Sequence, residues 1–188
     1  PSFGVVGGLS ALAGADVFFK LVKASLVRDG ARQSDAILEQ HPFSEASVAG
    51  AVDASQVARK LYVFDMIRSF RERKVDAVLL PCFISHTFLE ELKAEISVPV
   101  VDLMQALRKH VDRRYPAVRR IGVLTSDYVR RDGLFERYFD SARYELIYPR
   151  PEIQADCLVP AIYGPSGIKS GQLKGEAISL LRRSCQDL

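Results

Sequence analysis

Short apolar runs rich in β-branched residues alternate along the chain with helix-length amphipathic segments, and this alternation limits the possible folds more than any other feature. Strands are predicted at residues 3–6, 76–80, 98–101, 120–124 and 144–148. Helices are predicted at 11–26, 57–73, 103–114, 134–141 and 172–183, with further helices after residues 85 and 151. Strands that alternate with helices in this way form a parallel sheet covered on both faces. The sequence therefore predicts an α/β fold.

Spacing also predicts which face of the 57–73 helix is buried. Its apolar residues recur every three or four positions, as expected of a helix face that packs against the core. The residues with this spacing are Val57, Leu61, Phe64, Ile67 and Phe70.

Composition and charge exclude several classes of protein. The 188 residues are 48% hydrophobic and 26% charged, which excludes wholesale disorder. The net charge is +3, and the basic residues between 108 and 150 are interleaved with acidic ones, which argues against a nucleic-acid partner. The apolar run at 5–19 contains Asp16, lacks a basic n-region and is too short to span a bilayer, so the run is predicted to be neither a signal peptide nor a membrane span. Three cysteines without a disulfide framework favour a reducing compartment, and we expect a cytoplasmic protein.

An internal repeat divides the chain. The tetrapeptide that starts at Phe3 recurs, 118 residues later, in the tetrapeptide that starts at Ile121, and each copy opens a strand–loop–helix run. The repeat predicts two similar lobes related by a pseudo-two-fold duplication, with residues 1–102 in the first lobe and 103–188 in the second. The same offset places the counterparts of Cys82 and Asp102 near positions 200 and 220, so we expect the second lobe to be incomplete, without its C-terminal strands.

Cys82 is the strongest candidate for chemistry. It follows a predicted buried strand and precedes a helix, which is where open α/β sheets bind ligands, and amides at a helix start favour a thiolate. A small buried apolar thiol is the alternative. His86, four residues later, either pairs with that thiolate or caps and packs the helix start. Gly7 and Gly8 allow a sharp turn after the first strand and a close approach of the backbone to a ligand.

Two other segments contain candidates for ligand binding. Thr125 and Ser126 end the repeated strand and offer hydroxyl and amide donors, unless they form an ordinary helix-entry loop. Lys169 lies in a glycine-rich loop, where it either binds a carboxylate or is a solvated surface lysine.

The sequence has no dinucleotide-binding glycine pattern, no P-loop and no histidine or cysteine spacing suited to a metal, so neither cofactor nor metal is predicted.

Several segments, in order, resemble the aspartate/glutamate/hydantoin racemase superfamily, the cofactor-independent amino-acid racemases, over essentially the whole chain. The segments that carry the resemblance are GVVGGLS at 4–10, LPCFISH at 80–86, VPVVD at 98–102, IGVLTS at 121–126, GLF at 133–135, AIYG at 161–164 and IKSG at 168–171. The resemblance implies two α/β lobes with a site between them and, in many members, a homodimer.

It also implies a mechanism and a set of site residues. Two thiols transfer the α-proton of an amino acid, one as base and the other as acid, and Cys82 matches the thiol of the first lobe. The partner thiol belongs to a segment expected near position 200, and Cys185 cannot replace it because it lies on a helical tail. The substrate-binding positions implied are Leu9, Ser10, Phe83, Ile84, Ser85, Thr125, Ser126 and Lys169.

The sequence departs from the family pattern around the pocket. Phe83 and Ile84 stand where the family has an Asn-Thr pair, and the segment 40–46 lacks the arginine of aspartate-specific members. We therefore expect a racemase that acts on an amino acid or a related carboxylate and does not keep the aspartate specificity of the family. The alternatives are a single-cysteine decarboxylase or isomerase on the same scaffold, and a non-catalytic paralogue that binds a small carboxylate.

Overall fold

A computed structural model describes residues 1–26, 34–43 and 52–188. The chain divides into two compact units, Pro1–Leu103 and Met104–Leu188. The described part contains no helix long and apolar enough to cross a membrane.

The first unit is built on a small parallel sheet. Its strands are β1 (Ser2–Val6), β2 (Asp35–Glu39) and β3 (Ala77–Leu79), and the sheet order is β2-β1-β3. The helices are α1 (Ala11–Leu26), α2 (Val52–Glu72), α3 (Phe83–His86) and α4 (Leu89–Glu95). The bounds of α1 agree with the sequence prediction, whereas β2 was not predicted. The strand predicted at 98–101 is reduced to one bridge, in which Val100 pairs with Val78.

The core of the first unit lies between the sheet and α2. Val63, Met66, Ile67 and Phe70 of that helix are buried. The predicted core face was therefore wrong in its first half, because Val57 and Leu61 are 56% and 60% exposed.

The second unit has a two-stranded parallel sheet. It is formed by β4 (Arg120–Gly122) and β5 (Glu145–Ile147), and Ile121 pairs with Leu146. The helices are α5 (Leu103–Arg114), which begins in the first unit, α6 (Asp127–Asp132), α7 (Leu134–Tyr138), α8 (Pro151–Ile153), α9 (Val159–Tyr163) and α10 (Glu176–Gln186). A π-helical turn, Gln154–Leu158, joins α8 to α9, and a 3-10 turn, Ile168–Ser170, precedes α10. The helix predicted at 134–141 is thus shorter, because α7 ends at Tyr138, and α6 was not predicted.

Parallel strands bring their carboxyl ends to one edge of each sheet. In the first unit, the segments after β1, β2 and β3 meet at that edge, and the residues after the Val100 bridge join them. In the second unit, the segments after β4 and β5 do the same. These edges hold most of the predicted site residues.

Candidate functional site

The segment after β3 holds Cys82 in a tightly turned backbone. The amide of Cys82 donates to the carbonyl of Leu80 at 2.8 Å across Pro81. Cys82 then occupies the position just before α3, and its side chain is partly buried against the core of the first unit. Because α3 spans only four residues, its dipole offers less support to a thiolate than the sequence suggested.

His86 fixes the carbonyl side of Cys82. Its Nδ1 lies 3.0 Å from the Cys82 carbonyl, and its Nε2 lies 3.1 Å from the amide nitrogen of Leu103. An amide can only donate, so Nε2 accepts that bond, and Nδ1 carries the proton that is donated to Cys82. The side chain is 2% exposed. Both ring nitrogens are therefore occupied by backbone groups, and of the two roles predicted for His86 the structure shows packing rather than pairing with the thiolate.

Burial keeps this imidazole neutral. Desolvation lowers the pKa of His86 below its ordinary value, against the opposing effects of the Cys82 carbonyl and the Asp102 carboxylate. A neutral ring matches the hydrogen-bond pattern, since a second ring proton would face the Leu103 amide.

The turn after β1 lies at the same edge and requires glycine. Gly8 has a φ of +88°, and a Cβ placed on it would lie 2.0 Å from both the His41 carbonyl and the Tyr62 hydroxyl. The Gly8 amide donates to Oε1 of Gln40 at 2.9 Å. The sharp turn predicted for Gly7 and Gly8 is thus present, and it packs against the residues that follow β2.

Tyr62 on α2 forms hydrogen bonds with the turn after β1 and with the segment after β2. Its hydroxyl lies 2.9 Å from the Gly7 carbonyl and 2.8 Å from the His41 carbonyl. It has one proton to donate, which the two acceptors share. Burial raises the pKa of Tyr62 above its ordinary value, so the hydroxyl stays protonated and keeps its role as donor.

A buried arginine lies beside this part of the edge. Arg59 on α2 is 1% exposed, and its guanidinium carbon lies 5.3 Å from the centre of the Phe43 ring. Sequence reasoning found no arginine near positions 40–46, because Arg59 is distant in sequence and reaches Phe43 only through the fold. Residues 44–46 of that segment lie outside the described residues.

The other predicted residues of the first unit differ in accessibility. Ile84 and Leu9 are buried, whereas Ser10 and Phe83 are partly exposed. Ser85 is fully buried, and its hydroxyl has no hydrogen-bond partner within the described ranges. Any effect of Ser85 on a ligand must therefore pass through its neighbours.

At the edge of the second unit, Gln154 organises the segment after β4. Its Nε2 donates to the Thr125 carbonyl at 3.0 Å and to Oδ1 of Asp127 at 2.8 Å. Ser126 caps α6, because its hydroxyl accepts from the Val129 amide at 3.3 Å. Gln154 is buried and opens the π-helical turn, a geometry that is frequent at functional sites. Sequence reasoning missed Gln154, and its hydrogen bonds over 27 and 29 residues left no local signal.

Lys169 and the remaining cysteines lie elsewhere in the second unit. Lys169 is exposed on the 3-10 turn, and its ammonium lies 4.7 Å from the centre of the Tyr163 ring. Cys157 is fully buried in the π-helical turn, and Cys185 is exposed on α10. In the described ranges, no group of three or more histidine, cysteine or acidic side chains could hold a metal ion.

Comparisons with known proteins agree with this architecture. A family model described as Asp/Glu/Hydantoin racemase matches residues 6–187. A candidate Asp/Glu racemase from Yersinia pestis superposes with a TM-score of 0.75 at 17% identity, over 98% of this chain and 79% of that one. Picrophilus torridus aspartate racemase gives a TM-score of 0.74 at 12% identity, over 98% and 74%. An aspartate racemase homologue from Pyrococcus horikoshii gives 0.65 at 13%, over 85% and 69%.

Proposed function

We propose, from the membership of this chain in the Asp/Glu/hydantoin racemase family, that the protein inverts the α-carbon of an amino acid or related α-substituted carboxylate without a cofactor. The observation that carries the proposal is the placement of Cys82. It is a partly accessible thiol at the carboxyl edge of the first sheet, with its backbone held by the Leu80 carbonyl and by His86.

The chemistry requires a base on one face of the α-carbon and an acid on the other. The Cys82 thiolate removes the α-proton, and the electron pair of the broken C–H bond moves into the carboxylate to give an enediolate. A proton from the opposite acid then reaches the other face of the carbon, and Cys82 is left as a thiol. With the substrate of opposite hand the two groups exchange roles.

The enediolate needs hydrogen-bond donors. We assign this role in the first unit to backbone amides near Ser10 and Phe83, because both residues are partly exposed and lie at the Cys82 edge. The Thr125–Ser126 segment of the second unit, which Gln154 holds, stays a predicted substrate-binding segment. Lys169 remains our candidate for binding a substrate carboxylate.

The opposite acid is a second thiol in this proposal, and neither remaining cysteine of the chain suits that role. Cys157 is fully buried and cannot exchange a proton with a ligand. Cys185 is exposed on α10, without the enclosed surroundings that favour proton transfer to carbon.

A second candidate function is proton-transfer chemistry that needs only one thiol, such as decarboxylation or isomerisation. It is favoured by the placement of the three cysteines, because Cys82 lies at a sheet edge while Cys157 is fully buried and Cys185 is exposed on α10. Phe83 and Ile84 cannot replace the hydrogen bonds of the Asn-Thr pair implied by the resemblance, so a small dicarboxylic substrate would lose partners.

Racemisation by the full-length protein tests the proposal. Single enantiomers of a panel of amino acids, including aspartate and glutamate, are incubated with the enzyme and the products separated by chiral chromatography. We expect at least one to racemise, Cys82→Ser to abolish it, and the matched control Cys185→Ser to retain it. Product without a stereocentre or loss of CO2 would favour the second candidate, and full activity in Cys82→Ser would refute the assignment of the thiol.

A further inference from the structure

The first unit contains a pocket of about 340 Å³ between α2 and the chain that leaves α4. This volume is at the lower end of the range of pockets that bind small molecules. The pocket lies toward the amino end of the sheet, because residues 95–98 come before the Val100 bridge and the end of α2 comes before β3. Cys82 follows the carboxyl end of β3, so the pocket is separate from the candidate site.

The pocket forms where α4 ends beside α2. Lys60 on α2 pairs with Glu91, in the first part of α4, at 2.7 Å, and later residues of both helices line the pocket. The Ile96 amide closes α4 by donating to the Leu92 carbonyl at 3.0 Å, and the backbone of Ile96 is extended. The chain that leaves α4 therefore forms one wall of the pocket, and α2 forms the other.

Part of the lining is apolar and belongs to the core of the first unit. Phe64 and Ile67 contribute it from α2, and Ile96 and Val98 from the chain after α4. Ile67 and Val98 are buried, whereas Phe64 and Ile96 are partly buried and pack against the core. Fixed apolar surface of this kind accommodates the aliphatic or aromatic part of a ligand.

Two arginines line the same pocket. Arg68 and Arg71 are three residues apart on α2, so their side chains leave the same face of the helix. Both are exposed, and neither guanidinium forms an ion pair or a hydrogen bond within the ranges that the structure describes. The planar guanidinium group matches the geometry of a carboxylate. The pair is therefore suited to a carboxylate that is attached to an apolar group.

Glu95 narrows the class of ligand further. It is the last residue of α4, where the negative end of the helix disfavours a carboxylate and favours a cation. In the described part of the chain Glu95 forms no ion pair. It would repel a doubly charged anion such as a phosphate ester, whereas the ammonium group of an amino acid would pair with it.

We infer that this pocket binds an α-amino acid with a large apolar side chain, such as phenylalanine or leucine. The carboxylate lies against Arg68 and Arg71, the ammonium group lies against Glu95, and the side chain packs on the apolar lining. Exposed ion pairs contribute little each, and the ligand is small, so we expect a Kd of about 0.1–1 mM. The inference does not depend on the proposed reaction, since no step of it involves Cys82.

A titration of the full-length protein with L-phenylalanine, followed by the amide signals in nitrogen-15 NMR spectra, tests the inference. We expect saturable shifts of the Ile96 and Val98 amides, which locate the ligand in this pocket. Arg68→Gln and Arg71→Gln should each weaken binding by about threefold to tenfold, and the double variant should abolish it. The matched control is Arg182→Gln, which changes an exposed arginine on α10 and should leave the Kd unchanged.

Analogues that lack one group of the ligand test the assignment of each contact. Phenylalaninol lacks the carboxylate and glycine lacks the side chain, so neither should shift these amides. Without the ammonium group, 3-phenylpropanoate should bind about threefold or more weakly than L-phenylalanine, and Glu95→Gln should remove that difference. No shift of these amides at about 10 mM L-phenylalanine, or the parent Kd in the double arginine variant, overturns the inference. Tighter binding of phenyl phosphate than of L-phenylalanine overturns the class of ligand.

Discussion

Replacing His86 by leucine tests how the Cys82 segment is held. Leucine fills much of the imidazole volume but offers no hydrogen bond, so the Leu103 amide loses its acceptor and the Cys82 carbonyl loses a donor. The Cys82 carbonyl still accepts from the Ser85 amide at 3.2 Å. The hydrogen bond of the Leu103 amide is part-buried, and leaving this amide without its acceptor costs about 1–3 kcal/mol, to which loss of the second hydrogen bond adds about 1 kcal/mol. We therefore expect His86→Leu to lower the free energy of unfolding by about 2–4 kcal/mol.

The same histidine should make stability depend on pH. Because burial lowers the pKa of His86 in the folded protein, the unfolded chain binds a proton first as the pH falls. The stabilisation is complete above the ordinary histidine pKa of about 6.5 and is lost as the pH falls from there toward the folded-state value. His86→Leu should remove this component, so the difference in stability between parent and variant should shrink on acidification.

Urea unfolding followed by circular dichroism, at pH 8 and at pH 5.5, measures both effects. The matched control is His110→Leu, which changes an exposed histidine on α5 and should alter the unfolding free energy by less than about 0.5 kcal/mol. Hydrogen exchange locates the effect, because the Leu103 amide should exchange about tenfold or more faster in His86→Leu. Unchanged stability in His86→Leu, or an equal pH dependence in parent and variant, would refute the reasoning.

Three further substitutions test other contacts of the site. Gln154→Leu removes the donor to the Thr125 carbonyl and should lower the free energy of unfolding by about 1–3 kcal/mol in urea titrations. Gly8→Ala should lower the thermal midpoint far more than Gly171→Ala, because both glycines have positive φ but nothing lies within 4 Å of a Cβ at Gly171. Ser85→Ala should leave stability unchanged or raise it by up to about 1 kcal/mol in urea titrations, because it removes a buried hydroxyl without a partner in the described ranges.

Each of these expectations has a contradicting outcome. Equal thermal midpoints for the two alanine variants would mean that the turn after β1 can move away from Tyr62. A loss of more than about 1 kcal/mol in Ser85→Ala would show that its hydroxyl has a partner in solution. Gln154→Leu at the parent stability would show that the Thr125 carbonyl is satisfied by other groups.

The alternation of apolar strands and helices predicted the α/β class, and local signals were sufficient for α1. The errors came from tertiary context. On α2, the spacing of Val57 and Leu61 is helical, but both side chains are exposed, and the buried apolar residues of the helix lie between Val63 and Phe70. The strand β2 has a short apolar core of three residues between two acids, too little to stand out in the sequence, and it pairs with β1 along its full length.

In the candidate site, too, features set by local pattern could be predicted and features set by tertiary contacts could not. The predicted place of Cys82, after a buried strand and before a helix, is confirmed, because that position follows from local pattern. Its supports were not predicted, since His86 acts through the Leu103 amide 17 residues away and Tyr62 through the Gly7 carbonyl 55 residues away. Hydrogen bonds from side chains to distant backbone groups leave no spacing in the sequence to detect.

Exchange of the α-proton in D2O is the most direct test of Cys82 as a proton-transfer group. The full-length protein is incubated with one enantiomer of its substrate, and loss of the α-proton signal is followed by proton NMR. We predict deuterium incorporation by the parent protein that falls by at least about a hundredfold in Cys82→Ser, because a hydroxyl is a far weaker base than a thiolate. Exchange that continues in Cys82→Ser at the parent rate would contradict the assignment.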